Sequence, residues 1–102
     1  MAVEYELLIF SHDQPLNAEN DNVDVEVRLG DGSRWSATFF TLDNIKVLFA
    51  KNRVTGECAK GLYLWAVDMI LVERLDESVI RATIDDLRQS GEFGGAFGRL
   101  DP

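Results

Sequence analysis

Three side chains stand out as candidates for chemistry: the lone cysteine Cys58, the lone histidine His12, and Asp68, which alone interrupts the apolar run of "TGECAKGLYLWAVDMILVERL" (Thr55 to Leu75). A reactive thiol needs a nearby base or a helix N-terminus to form its thiolate. His12 sits far away in a polar, acidic loop, and nothing in the spacing brings it to Cys58. Cys58 is therefore expected as a small half-buried loop residue. Asp21, Asn22 and Asp24 offer oxygen ligands but lack the glycine and terminal glutamate of a calcium loop. One His and one Cys are too few soft ligands for a closed zinc site. Neither a metal nor a cofactor is expected. "GEFGGAFG" (Gly91 to Gly98) has the composition of a phosphate loop, but no helix is predicted after it to receive an anion.

Asp68 has two readings. Inside one continuous buried strand an unpaired carboxylate would cost several kcal/mol and would imply a partner or a function. In a turn it costs little, and Asp is disfavoured in strands and favoured in turns. The segment therefore reads as two short strands, joined by a turn over Ala66 to Met69. Trp35 and Trp65 raise the question of a binding surface, because aromatics concentrate at interfaces. Each lies in phase with aliphatic neighbours, which places both in the core.

The elements that must position these groups follow from periodicity. "VEYELLIF" (Val3 to Phe10) reads as a strand, and "SHDQPLNAENDN" after it as a long polar loop. "VDVEVRL" alternates strictly, with Val23, Val25, Val27 and Leu29 on one face and Asp24, Glu26 and Arg28 on the other. "GDGS" then turns the chain into "RWSATFF", which puts Trp35, Ala37 and Phe39 in register as the second half of a hairpin. At Thr41, a plausible N-cap, the period changes to helical, with Leu42, Ile45, Leu48 and Phe49 on a stripe and an end near Asn52. Asp76 caps a second helix whose stripe is Val79, Ile80, Thr83, Ile84 and Leu87, and Gly91 closes it. The tail from residue 91 to 102 holds four glycines, and it stays mobile unless Phe93 and Phe97 dock.

At 102 residues, 46% hydrophobic and 27% charged, the chain is a single folded domain (1–102) with room for one core and none for a cleft between lobes. The net charge is −8, unevenly spread: residues 1–40 carry eight acids and two bases, 41–61 two acids and four bases, 62–102 eight acids and four arginines. Such a surface repels nucleic acid and anionic membranes and speeds encounter with basic proteins. One cysteine makes no internal disulfide, and "MAVEYELLIF" lacks the basic start of a secretory signal, so a reducing, cytoplasmic setting is expected. No apolar stretch approaches the roughly 20 residues that span a bilayer.

The stretches "DGSRWSATFFTLDNI", "TGECAKGLYLWAVDMILVERL" and "IDDLRQSGEF" resemble small acidic bacterial proteins, mostly uncharacterised, some of them similar to immunity proteins that neutralise toxins by binding. The resemblance spans about residues 29 to 93. It implies a strand-rich α+β fold and a protein partner. The expected fold is α+β, an antiparallel sheet of about five strands with two helices on one face, in the order β-β-β-α-β-β-α. The expected role is non-catalytic protein binding, of the kind an immunity-type inhibitor performs on a basic toxin. Candidate binding residues are Asp68, Glu57, Trp65, Tyr63, Phe93 and Phe97. A homodimer through a strand edge or the phenylalanine tail is compatible with this. So is a subunit of a larger assembly. The competing reading is a small enzyme or ligand-binding domain with a pocket between sheet and helices, using Asp68, His12 or Tyr63. Its sign would be two or more of them converging in one pocket.

Overall fold

A computed structural model of the chain describes residues 5–10 and 16–100. The fold is α+β: an open, five-stranded, mainly antiparallel sheet and four helical segments. Strands β1 (Tyr5–Phe10), β2 (Asn22–Leu29) and β3 (Arg34–Thr41) form an antiparallel meander. The hairpin register pairs Val23 with Phe39, Val25 with Ala37 and Val27 with Trp35, so the apolar alternation of both strands falls on one face. At the connecting turn Gly32 takes φ +88°, and the Asp31 carboxylate accepts hydrogen bonds from the Ser33 amide and hydroxyl. Those bonds, the hydroxyl's foremost, lower the Asp31 pKa.

Helix α1 (Leu42–Thr55) starts where Thr41 Oγ1 accepts from the Asn44 amide at 3.1 Å, and it runs three residues past Asn52. Gly56, left-handed at φ +88°, ends it by donating its N–H to the Asn52 carbonyl at 2.9 Å. The short turn α2 (Glu57–Gly61) follows, in which Cys58, Ala59 and Lys60 are themselves left-handed, with φ of 52°, 52° and 60°. Helix α3 (Glu77–Ser90) has the predicted caps: the Asp76 carboxylate accepts from the Val79 amide at 2.9 Å, and Gly91 is left-handed at the other end. Ser78, then Val79 and Arg74, hold the Asp76 carboxyl down at about 2.

Three features depart from the expected layout. The apolar run supplies one strand, β4 (Met69–Val72), and Leu62 to Ala66 form none. β4 runs parallel to β3, with Thr38 opposite Met69 and Thr41 opposite Val72. A parallel pairing needs a long crossover, and α1, α2 and residues 62–68 supply it. The fifth strand comes from the tail: after the short helix α4 (Phe93–Ala96), β5 (Gly98–Arg99) pairs with Trp35 and Ser36. β4 and β5 thus share one edge of β3. The element order is β-β-β-α-α-β-α-α-β.

The second departure concerns the helices. α3 lies on the apolar face, with Ile80 and Ile84 fully buried, and α4 joins it. α1 does not: among the described residues the core draws on every strand except β5, and on α3 and α4, but on nothing from α1. Its stripe of Ile45, Leu48 and Phe49 is only half-buried, and Leu42 and Val47 are exposed.

The third is the tail, which is docked. Phe93 and Phe97 stack at 4.6 Å between ring centres, Phe93 meets the edge of Trp35 at 5.4 Å, and Phe97 meets Phe39 at 6.3 Å. Burying two phenylalanines contributes roughly 1.5–3 kcal/mol each toward the ordering cost of about 1–2 kcal/mol per residue, and the segment's backbone adds its pairing with the sheet. β1 is tied to α3 by the Tyr5 hydroxyl, which donates to Asp85 Oδ1 at 3.0 Å, and by Arg81 and Arg88 over the Tyr5 ring. Burial first, then Asp85, raises the Tyr5 pKa.

Candidate functional site

α3 and α4 pack on one face of the sheet, and the polar face lies opposite them. Alternation and register put Glu6, Leu8 and Phe10 of β1, Asp24, Glu26 and Arg28 of β2, Arg34, Ser36, Thr38 and Phe40 of β3, and Met69 and Leu71 of β4 on that side. Its centre is Glu26, 5% exposed despite its charge. Arg28 and Arg34 each donate from Nε to Glu26 Oε2 at 2.8 Å, and these bonds, Arg34's foremost, hold the Glu26 carboxyl at about 2 against the usual 4.5. Arg28 also reaches Glu6 at 3.6 Å. Two acids and two bases here balance one another.

Beside this cluster lies an open groove of about 430 Å³. Phe10 bounds one side, Val67 and Leu100 another, and Asp24, Ser36, Thr38 and Asp68 line it between them. The Thr38 hydroxyl donates to Asp24 Oδ1 at 2.7 Å. Asp68 stands in the turn before β4 with φ +51°, a left-handed conformation that Asp tolerates better than most residues, and its carbonyl accepts from the Thr38 amide at 3.0 Å. The predicted turn is thus present, and its carboxylate also faces a groove. That carboxylate lies against Gly98, in the space a β-carbon there would fill. Among the described residues no hydrogen bond or ion pair engages the Asp68 carboxylate.

The other candidates fall in three places. Trp65 and Tyr63 belong to the strandless segment and are 65% and 47% exposed, so Trp65 is a surface residue and not the core residue its phase suggested. The phase argument fails because it presumes a strand that does not form. Glu57 is exposed, pairs with Lys51 at 3.6 Å and accepts from the Thr55 hydroxyl at 3.0 Å. Phe93 and Phe97 are buried and belong to the core. Cys58 is half-buried in the left-handed turn, while His12 lies outside the described residues, so their pairing does too. Of Asp68 and Tyr63 only Asp68 lines the groove, which opens on the face opposite α3, while His12 lies outside the described residues.

Sequence reasoning missed Asp24, Phe10, Thr38 and Leu100 as a group. Strict alternation in "VDVEVRL" was the available signal, because it puts Asp24 and Glu26 together on the face opposite the valines. Among the described residues no group of three or more His, Cys, Asp or Glu side chains is placed to hold a metal ion. Nor is any helix there long and apolar enough to cross a membrane. Compared with protein-family models, curated proteins and solved structures, the chain matches none.

Proposed function

We propose that this chain is a non-catalytic protein-binding domain whose partner is a basic protein, acting as an immunity-type inhibitor acts on a basic toxin. The carrying observation is the segment from Leu62 to Val67: Leu62 is 79% exposed, Trp65 65%, Val67 67% and Tyr63 47%. Four large side chains on six consecutive residues stay in water, although the chain has a core to put them in. Buried aromatic anchors such as Trp and Tyr carry much of the energy of protein interfaces. The net charge of −8 supplies long-range attraction for a basic partner and repulsion of acidic ones. This segment leads directly into the acidic groove at Val67 and Asp68.

Affinity capture with the full chain, compared with its Trp65→Ala variant, tests this reading. Capture of a basic protein that weakens on adding about 0.5 M salt, and that Trp65→Ala reduces tenfold or more, is the expected result. Equal capture by the variant, or recovery of acidic partners only, defeats it. Light scattering on the free chain separates a second copy from a foreign partner: a dimer dispersed by Trp65→Ala would assign this surface to self-association.

A further inference from the structure

We propose that the groove on the polar sheet face, opposite α3, is a slot for one lysine or arginine side chain of a protein partner. The inference rests on the binding function above and names the chemistry at one part of the contact.

The groove combines apolar walls with negative charge that no basic side chain meets among the described residues. Phe10, Val67 and Leu100 form its rim and are 53%, 67% and 46% exposed. Between them stand two carboxylates, Asp24 and Asp68, and the hydroxyls of Ser36 and Thr38. Glu26 also lines the groove, but its charge is met by Arg28 and Arg34 at 2.8 Å each, and Arg28 further answers Glu6. Asp24 takes a bond from the neutral Thr38 hydroxyl, which leaves its charge in place, and Asp68 has no ionic partner among the described residues. An anion would meet two carboxylates that no ion pair neutralises among the described residues. A wholly apolar occupant would strip water from both without replacing its hydrogen bonds.

A long basic side chain suits both halves of the groove. Its methylene stem can lie along Phe10, Val67 and Leu100 while its charged head reaches the carboxylates. A volume of about 430 Å³ admits such a side chain and leaves room for bridging water. Two features favour a polypeptide over a free amine. The groove is open along the sheet, so the rest of a chain can continue out of it. At Val67 it also joins the exposed Tyr63–Trp65 segment, where a larger partner would find its apolar anchor. Gly98 contributes by omission: lacking a side chain, it leaves the Asp68 carboxylate space at the groove.

The probes are two blocked tripeptides, acetyl-Leu-Lys-Leu-amide and its counterpart with norleucine in place of lysine, titrated into the 15N-labelled full chain. The lysine peptide is expected to bind in the millimolar range, shifting the amides of Ser36, Thr38 and Asp68. The norleucine peptide should bind at least tenfold more weakly. Asp68→Asn and Asp24→Asn should each weaken the lysine peptide severalfold, and the double variant tenfold or more, with the remaining amide spectrum reporting an intact fold. Equal binding of the two peptides, shifts confined to other surfaces, or no effect of the double variant would overturn the slot. Putrescine as a third probe checks the source: if it binds as tightly as the lysine peptide, the site is one for small amines and not for a polypeptide. The two proposals fail separately. Loss of the slot leaves capture through Trp65 intact, whereas capture indifferent to Trp65→Ala removes the interface reading while a lysine-selective groove still stands.

Discussion

The carboxylate of Asp68 rests against the α-carbon of Gly98, two residues 30 positions apart in a chain of 102, and a β-carbon at Gly98 would collide with Asp68 Oδ2. The colliding atom is the free end of a side chain, so rotation about χ1 of Asp68 relieves the clash. Gly98→Ala should therefore cost under about 1 kcal/mol of stability while displacing the carboxylate. Binding of the lysine tripeptide should fall severalfold with little change in urea midpoint. A large stability loss with unchanged peptide binding would show that Gly98 serves the sheet and not the groove.

Among the described residues Glu26 is one of three carboxyls, with Asp76 and Asp31, whose lowered pKa ties stability to acid pH, and it is the buried one. Its folded pKa of about 2 lies below the ordinary 4.5, so the stabilisation is complete above pH 4.5 and disappears as pH falls from there through 2. Wild-type Tm should drop across that window, and Glu26→Gln should flatten the drop. At neutral pH the variant should lose about 1–3 kcal/mol, the low side of what breaking a buried ion pair costs, because both arginine side chains are 46% exposed. Parallel melting curves for the two proteins that keep the same separation from pH 6 to 2.5 would contradict this.

Phe97 anchors the tail and is 1% exposed, packed on Phe93 and Phe39. Phe97→Ala should cost about 3–5 kcal/mol, the usual range for emptying a buried phenylalanine site. Because β5 depends on that anchor, amide exchange at Leu100, which donates to the Arg34 carbonyl at 2.8 Å, should accelerate in step. A cost below 1 kcal/mol would mean the tail is dispensable.

The left-handed turn holds three residues with side chains at positive φ, and Ala59, at φ 52° and exposed, loses no packing when shortened. An L-residue in that conformation costs about 1–2 kcal/mol, and glycine gives back part of the relief through its freer unfolded chain. Ala59→Gly should raise stability by about 0.5–1 kcal/mol net of those two effects, seen as a Tm higher by a few degrees. Destabilisation would show that the turn relaxes to right-handed dihedrals in solution.

The sequence by itself settled what neighbours along the chain decide. The period-two pattern of Val23, Val25 and Val27 chose the face of the hairpin, and "GDGS" made the turn. Thr41 opened the first long helix and Asp76 and Gly91 bounded the second, because caps act within three or four residues, whereas the first helix runs past the expected end near Asn52 to Gly56. Even Asp68 was legible as a turn residue from its dislike of strands. The partner of each strand edge was not legible. Leu62 to Ala66 has the composition of a strand and forms none, while the edge of β3 beyond β4 is taken by Gly98 and Arg99 of the tail. That outcome depends on Phe93 and Phe97 finding space against Trp35 and Phe39, and no local rule reports it. Tertiary packing likewise left Trp65 and Tyr63 exposed and joined Asp24, Asp68 and Leu100 around one groove. Periodicity and caps are short-range and written residue by residue. Edge pairing is a contest among distant segments for the same hydrogen bonds and buried area, so only the folded chain decides it.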